Sequence, residues 1–174
     1  MKIPGYEFPK SSFLSLEKDA GIIVRDMLAN DKLKKLLFYE DKNCLSLPSL
    51  TQEQTLSLVD NQIMICPKVE IDKNMFSYIL VTFDDFVPNA TNPEYRDNLI
   101  TFNILCHFNS WNLGDFKIRP YKIAGELDNM FDGKHIFGIG ELSFMGAKQI
   151  IINDEFGGLS LIYSAIHGNE DKVD

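Results

Sequence analysis

One amphipathic helix, Ile118 to Phe131, stands between strand-like segments, and this order constrains the fold more than any other feature of the chain. Pro120 sits near its first turn, where a missing N–H costs nothing, and Gly133 supplies a left-handed stop. Ile123, Ala124, Leu127, Met130 and Phe131 fall on one side, so the helix needs a flat apolar surface to cover that stripe. Ile136 to Met145 and Lys148 to Asn153 read as strands, or as one strand bent at Gly146. Leu159 to Ile166 alternates and is expected to close the sheet, with Gly157-Gly158 suited to a hairpin turn.

The strands before that helix are longer. In Phe76 to Phe86 both alternating sets are mostly apolar, which predicts a central strand covered on both faces. Asn98 to Phe108 puts Ile100, Phe102, Ile104, Cys106 and Phe108 on one face and the half-polar set Thr101, Asn103, Leu105 and His107 on the other. The polar, proline-containing loop from Pro88 to Arg96 makes these two a long hairpin. Gln62 to Val69 is an edge-strand candidate because Pro67 cannot donate to a ladder.

Upstream, Leu16, Ala20, Ile23, Val24, Met27 and Leu28 define a helix from about Phe13 to Ala29, capped by Ser11 or Ser12. Gly21 within it suggests close approach of another element. Asn30 or Asp31 starts a second, short helix. Thr51-Gln52-Glu53-Gln54 is a capping-box candidate inside the looser stretch 41–61. Residues 1–11 read as an extended arm and 168–174 as a flexible acidic tail. The whole predicts an α+β fold in one domain, 1–174: a mixed, mainly antiparallel sheet of four to five strands, with an N-terminal helix and a helix between strands packed on it.

Composition narrows the function classes. A formal charge of −8 and a pI near 4.9 oppose non-specific binding to nucleic acid or an anionic membrane. Lys32, Lys34 and Lys35 are read as a solvated face. No apolar h-region opens the chain and no apolar run is long enough to span a bilayer, so neither export by a cleaved signal nor membrane insertion is expected. Cys44, Cys66 and Cys106 are scattered without CxxC spacing and are expected to be free thiols in a reducing compartment. Asn89-Ala90-Thr91 is then a chance match to the glycosylation pattern.

Chemistry finds little support. His107, His135 and His167 lie on different elements, and adjacent Cys106 and His107 point to opposite faces of a strand, so no metal site is expected. Ser143 and Ser164 lack a nucleophile elbow, and Gly138-Ile139-Gly140 leads into a strand where a phosphate loop needs a helix. Neither catalytic residues nor a cofactor are therefore assigned. An Asp84-Asp85 cluster joined by Asp97 or Asp115 would make at most a weak cation site. The two loops flanking the second long strand carry aromatics and arginines of the kind interfaces use. The expected interface comprises Asp84, Asp85, Glu94, Tyr95, Arg96 and Asp97 on one loop and Trp111, Phe116 and Arg119 on the other.

The order of elements, with the segments Ile118-Arg119-Pro120-Tyr121-Lys122-Ile123-Ala124-Gly125-Glu126-Leu127 and Asn153-Asp154-Glu155-Phe156-Gly157-Gly158-Leu159, resembles neck and tail-completion proteins of tailed bacteriophages, most of all the tail-terminator type. The resemblance implies a non-enzymatic virion subunit, made in the host bacterial cytoplasm, in which the stretch 41–61, longer than a minimal member requires, is an insertion decorating the ring. It would form a homo-oligomeric ring, commonly a hexamer, at the head-proximal end of the tail. Its implied partners are the tail-tube protein and the head connector or neck proteins, with no membrane or specific nucleic-acid partner. Arg96→Ala or Trp111→Ala should then weaken assembly and leave the monomer folded. Alternatives are a head-completion or connector-adaptor subunit, or a small-molecule-binding domain or enzyme with a pocket near His107 between sheet and helix.

Overall fold

The computed structural model describes residues 12–65, 77–92, 95–136 and 140–167. The expected arm at 1–11, Cys66, Pro67, Glu94, the Gly138-Ile139 pair and the tail at 168–174 lie outside the described residues. Among the described residues four helices, α1 (Ser12–Ala29), α2 (Asp31–Phe38), α3 (Gln52–Leu56) and α4 (Arg119–Phe131), accompany seven strands. Five of these, β1 (Ile63–Met64), β2 (Ser77–Pro88), β3 (Arg96–His107), β6 (Ser143–Ile151) and β7 (Phe156–His167), form a sheet in the order β1-β2-β3-β7-β6. β1 is parallel to β2 and the other pairs are antiparallel. The remaining pair, β4 (His135–Ile136) and β5 (Gly140–Glu141), makes a separate small ladder. The fold is α+β, with a mixed sheet and the N-terminal helix and α4 packed on it.

One sheet face carries the core. Ile79, Val81, Ile100, Phe102, Ile104, Leu161 and Tyr163 pack under Ile23 and Met27 of α1, Leu33, Leu36 and Leu37 of α2, and Ile123, Leu127 and Phe131 of α4. Phe102 stacks on Phe131 with ring centroids 5.0 Å apart, so the space between sheet and α4, where a ligand pocket was an alternative, is filled by side chains. Tyr163 donates its hydroxyl to Asp128 Oδ1 at 2.8 Å, which pins α4 to β7. On the opposite face Tyr78, Leu80, Leu105 and Phe156 form a smaller buried cluster. From there the face opens into a trough of about 410 Å³ bounded by Thr82, Asp84, Asn103, Lys148, Ser160 and Ile162.

Local signals account for most boundaries. Asn30 Oδ1 accepts from the Leu33 N–H and starts α2, while its Nδ2 donates to Glu126 on α4 at 3.0 Å. The Thr51 capping box forms, with Gln54 Oε1 accepting from the Thr51 N–H at 2.9 Å. Lys32 is exposed, whereas Lys35 is drawn against Asp31 at 3.0 Å and holds that carboxyl below its ordinary range through the hydrogen bond. The stretch 41–61 is no decoration: Cys44, Leu50 and Leu58 enter the main core. Asn89 is engaged in its own turn, accepting from the Thr91 and Asn92 N–H groups at 2.9 and 3.0 Å.

Several expectations change. Gly21 is exposed and meets no other element. β2 is interior as expected but only half covered, since Thr82 and Asp84 line the open trough while Phe83 packs against the main core. Phe108 leaves the strand for a short 3₁₀ turn, Phe108–Ser110. The segment before Gly146 splits into the small ladder and β6, whose register shifts between Phe144 and Gly146. β7 does not close the sheet, because it lies between β3 and β6 and leaves β6 at the edge. Gly157 and Gly158 are not the turn either. They lie inside β7, where a Cβ on Gly158 would run into the carbonyl oxygen of Ile104 and one on Gly157 would meet Ile150 O and the Phe108 ring at 3.0 Å. The turn itself is Asn153 to Glu155, organised by Asn153 Oδ1 accepting from the Glu155 and Phe156 N–H groups, both at 2.8 Å.

Candidate functional site

The loop between β3 and α4 carries Phe116, the most exposed large apolar side chain among the described residues. His107 accepts from the Asn109 N–H at 3.2 Å and opens the 3₁₀ turn, and Ser110 Oγ donates to His107 O at 2.8 Å. The Arg119 N–H then reaches Trp111 O at 2.7 Å, and an Asn112–Ile118 bridge pinches the loop into a neck. Beyond the neck Gly114, Asp115 and Phe116 take φ of 77°, 47° and 60°, three consecutive left-handed residues. That conformation suits glycine and is costly for phenylalanine. Phe116 points its ring wholly into solvent, with Ile118 and Tyr121 also exposed beside it. A groove of about 730 Å³ runs from Trp111 past Asn112 to Ile118. Lys117, 3.6 Å from Asp115, gives its lining mixed charge.

Two residues expected on this surface belong to the interior. Trp111 is half-buried against the core and donates Nε1–H to Cys106 O at 3.1 Å. Arg119 is completely buried. Its Nε donates to Ser110 O at 2.9 Å, one terminal nitrogen to Leu36 O and Tyr39 O at 2.6 and 2.7 Å, and the other to Glu40 O and Asp41 O at 2.9 and 3.0 Å. Five carbonyls thus hold one guanidinium. Those of Leu36, Tyr39, Glu40 and Asp41 gather at the C-terminal end of α2, where orphan acceptors and the helix dipole favour a cation. The fork of five donors is what makes arginine, among side chains, fit this cage.

The β2–β3 loop lies at the other end of the sheet. β3 carries twelve residues between the two loops, so the loops stand roughly 35 Å apart. The expected single cluster is therefore split into two. Around the β2–β3 end, Arg96 covers the Phe86 ring at 5.1 Å, Asp97 accepts from Asn89 Nδ2 at 2.7 Å, and Tyr95 is exposed. Asp84 and Asp85 are exposed where the ladder slips between Asp84 and Val87, and Asp85 takes φ 52°. Facing the slip, Asn98 is buried, and among the described residues neither of its side-chain amide atoms has a hydrogen-bond partner. Asp115 sits on the far loop, so it cannot complete an acidic cluster with Asp84, Asp85 and Asp97.

The histidines are equally dispersed. His107 packs its ring edge-on to Phe156 at 5.1 Å, exposed His135 lies 3.8 Å from Glu141, and His167 is buried with Nε2 3.1 Å from Asp19 Oδ2. Among the described residues no three His, Cys, Asp or Glu side chains converge as metal ligands, and no helix is long and apolar enough to cross a membrane. Burial pushes the Cys106 thiol up to about 12 and raises Cys44 as well, so neither offers a thiolate near neutrality. The buried Arg119 and the split of the interface escaped sequence reasoning. The one available signal was that Arg119 directly precedes Pro120 at a helix start, where a side chain can turn back under the helix.

The fold and these surfaces define an α+β protein with a closed core and two separate exposed loop ends. The chain belongs to the YomW family, whose model matches residues 30–165 and so spans the sheet, α2, α3, α4 and the stretch 41–61. The family bears a phage-like gene name, which associates the chain with a phage. A search of the curated proteins found no match.

Proposed function

We propose that the chain is a structural subunit of a phage virion neck that forms a homo-oligomeric ring, a hexamer in the simplest case, at the head-proximal end of the tail. The ring ends tail-tube polymerisation by covering the tube end, and its other side meets the head connector; the protein is not an enzyme. The observation that carries this reading is Phe116, a fully exposed aromatic held in a left-handed backbone beyond a pinched neck. Nothing described in the monomer packs on it, and such cost at an exposed tip is compensated by a partner that takes up the ring. The second loop end, with Tyr95, Asp84 and Asp85 at the opposite end of the sheet, suits a joint that must hold two partners at once. Association with a phage agrees with the same role.

Light scattering coupled to size exclusion across a concentration series, with particles imaged from the same peak, tests the ring. The expected result is a closed ring that caps added tail tubes. Phe116→Ser should leave the thermal midpoint unchanged and abolish capping of tube ends. A protein that stays monomeric with and without tubes overturns the reading and turns attention to ligands of the open trough.

A further inference from the structure

On one side of the five-stranded sheet β6 is the last strand, and among the described residues it forms a ladder only with β7. The Ile152 N–H donates to Phe156 O at 2.9 Å, so the alternation of an antiparallel pair turns the backbone groups of Ile152, Ile150, Lys148 and Gly146 toward β7. The Ile150 carbonyl accordingly lies over Gly157. The backbone groups of Ala147, Gln149 and Ile151 point the other way, and no described residue bonds to them. These three side chains are exposed although they lie on the helix-bearing face of the sheet, so no helix overhangs the strand there. Open edges in soluble proteins are normally blunted by charge, proline, brevity or a bulge. The bulge of β6 lies at its start, between Phe144 and Gly146, and the rest of the strand has no proline and one charge, Lys148. Ile151 at its end is 72% exposed.

The outward groups select what fits this edge. A second copy related by a two-fold axis through Gln149 presents an antiparallel β6. Gln149 then pairs with Gln149 of the second copy, and Ala147 with Ile151 in both directions, so every outward N–H meets an outward carbonyl. Opposed residues keep the same sheet face, as an unslipped register requires. Lys148 falls opposite Ile150, where its stem covers the apolar side chain and its ammonium stays in water. An axis one residue earlier, at Lys148, opposes two lysines and sets Ile151 against Met145 beside the bulge, which leaves the Ile151 groups without a regular partner. One register thus satisfies the whole edge and keeps like charges apart. That self-complementarity favours a second copy over a strand from another protein.

We propose that two copies of the chain join through β6 about a two-fold axis at Gln149, making one continuous sheet with the two troughs side by side on the same face. The trough wall formed by Lys148, Ile150 and Ile152 is shared between them. The contact is isologous and closes at two copies. It is therefore separate from the ring proposed above, whose seams need unlike surfaces, and it stands without that reading. The loop tip at Phe116 and the β2–β3 end stay free, because they lie at the ends of the strands and not along this edge.

The test is light scattering and imaging of the full chain beside Gln149→Pro and Ile151→Lys over one concentration series. Gln149→Pro removes a donor that bonds to no described residue, so the ladder with β7 stays and circular dichroism should match that of the unmodified chain. Ile151→Lys keeps every backbone group and sets a lysine where Ile151 packs against Ala147 of the second copy; it decides the matter if the proline variant loses its circular dichroism signal. In both variants the dissociation constant of the pair is expected to rise roughly tenfold or more, and the particle mass to halve wherever the unmodified chain pairs. Halving reads the two-fold contact whether the larger particle is two copies or two rings. An unmodified chain that stays a single copy overturns the pairing. Rings whose mass neither variant halves also overturn it and leave the ring reading standing. A two-copy particle that the variants split, with no ring on added tail tubes, upholds the pairing and sinks the ring.

Discussion

Arg119 is the residue whose position most separates what it looks like from what it does. An arginine beside aromatics in a loop reads as a contact for a partner, yet here it closes the end of α2 from inside. Its five donors meet five carbonyls with no carboxylate in the cage. Arg119→Lys keeps the charge but offers a point in place of a fork, stranding carbonyls that each cost about 1–3 kcal/mol when buried and unpaired. It is expected to lower unfolding free energy by roughly 3 kcal/mol, and Arg119→Ala by more, in urea titrations followed by circular dichroism. A surface role would predict no change in either. Trp111 follows the same logic, since its indole N–H holds Cys106 O, so truncating it should loosen the loop neck and not only a contact. Phe116, by contrast, was legible in sequence as an exposed aromatic. Residue type alone could not sort these three, because all sit within nine positions of one loop and differ only in which way the backbone turns.

At the scale of elements, periodicity located what mattered. α1, α2 and α4 and the long hairpin strands all form within a few residues of the expected bounds, because a one-sided apolar stripe of period 3.6 or 2 has only one stable way to be buried. The capping box at Thr51 and the Asn30 cap formed because they satisfy local donors without reference to the rest of the chain. The glycines misled for the opposite reason. Gly21 faces open space in the middle of α1, so Gly21→Ala should stabilise the protein by about 1 kcal/mol in the same titration. Gly158 stands where β7 crosses the carbonyl of Ile104, and Gly158→Ala must force β3 and β7 apart. A loss of roughly 3 kcal/mol is expected. Both glycines are one letter in sequence, and their difference is set entirely by an element distant along the chain.

For the whole molecule, two buried acids decide the alkaline limit. Burial pushes Cys106 from its ordinary 9.0 to about 12, and it raises Tyr163 too, with the hydrogen bond to Asp128 adding to the effect. In both, the folded state keeps a proton that the unfolded chain gives up first. Their contribution is thus fully present below about pH 9 and is lost as pH rises toward 12. The unfolding free energy should fall by on the order of 1 kcal/mol per pH unit in that window, and more gently in Cys106→Ala. A flat profile in the unmodified chain would contradict the burial. The α+β class, the order of helices and strands and the apolar faces were determined by the sequence itself, because they follow from local periodicity and capping. Strand order, with β7 inside and β6 at the edge, the buried cage around Arg119, and the separation of the two loop ends were decided only by tertiary structure. Each depends on which distant segments meet, and pairing across a sheet leaves no periodic mark in the chain.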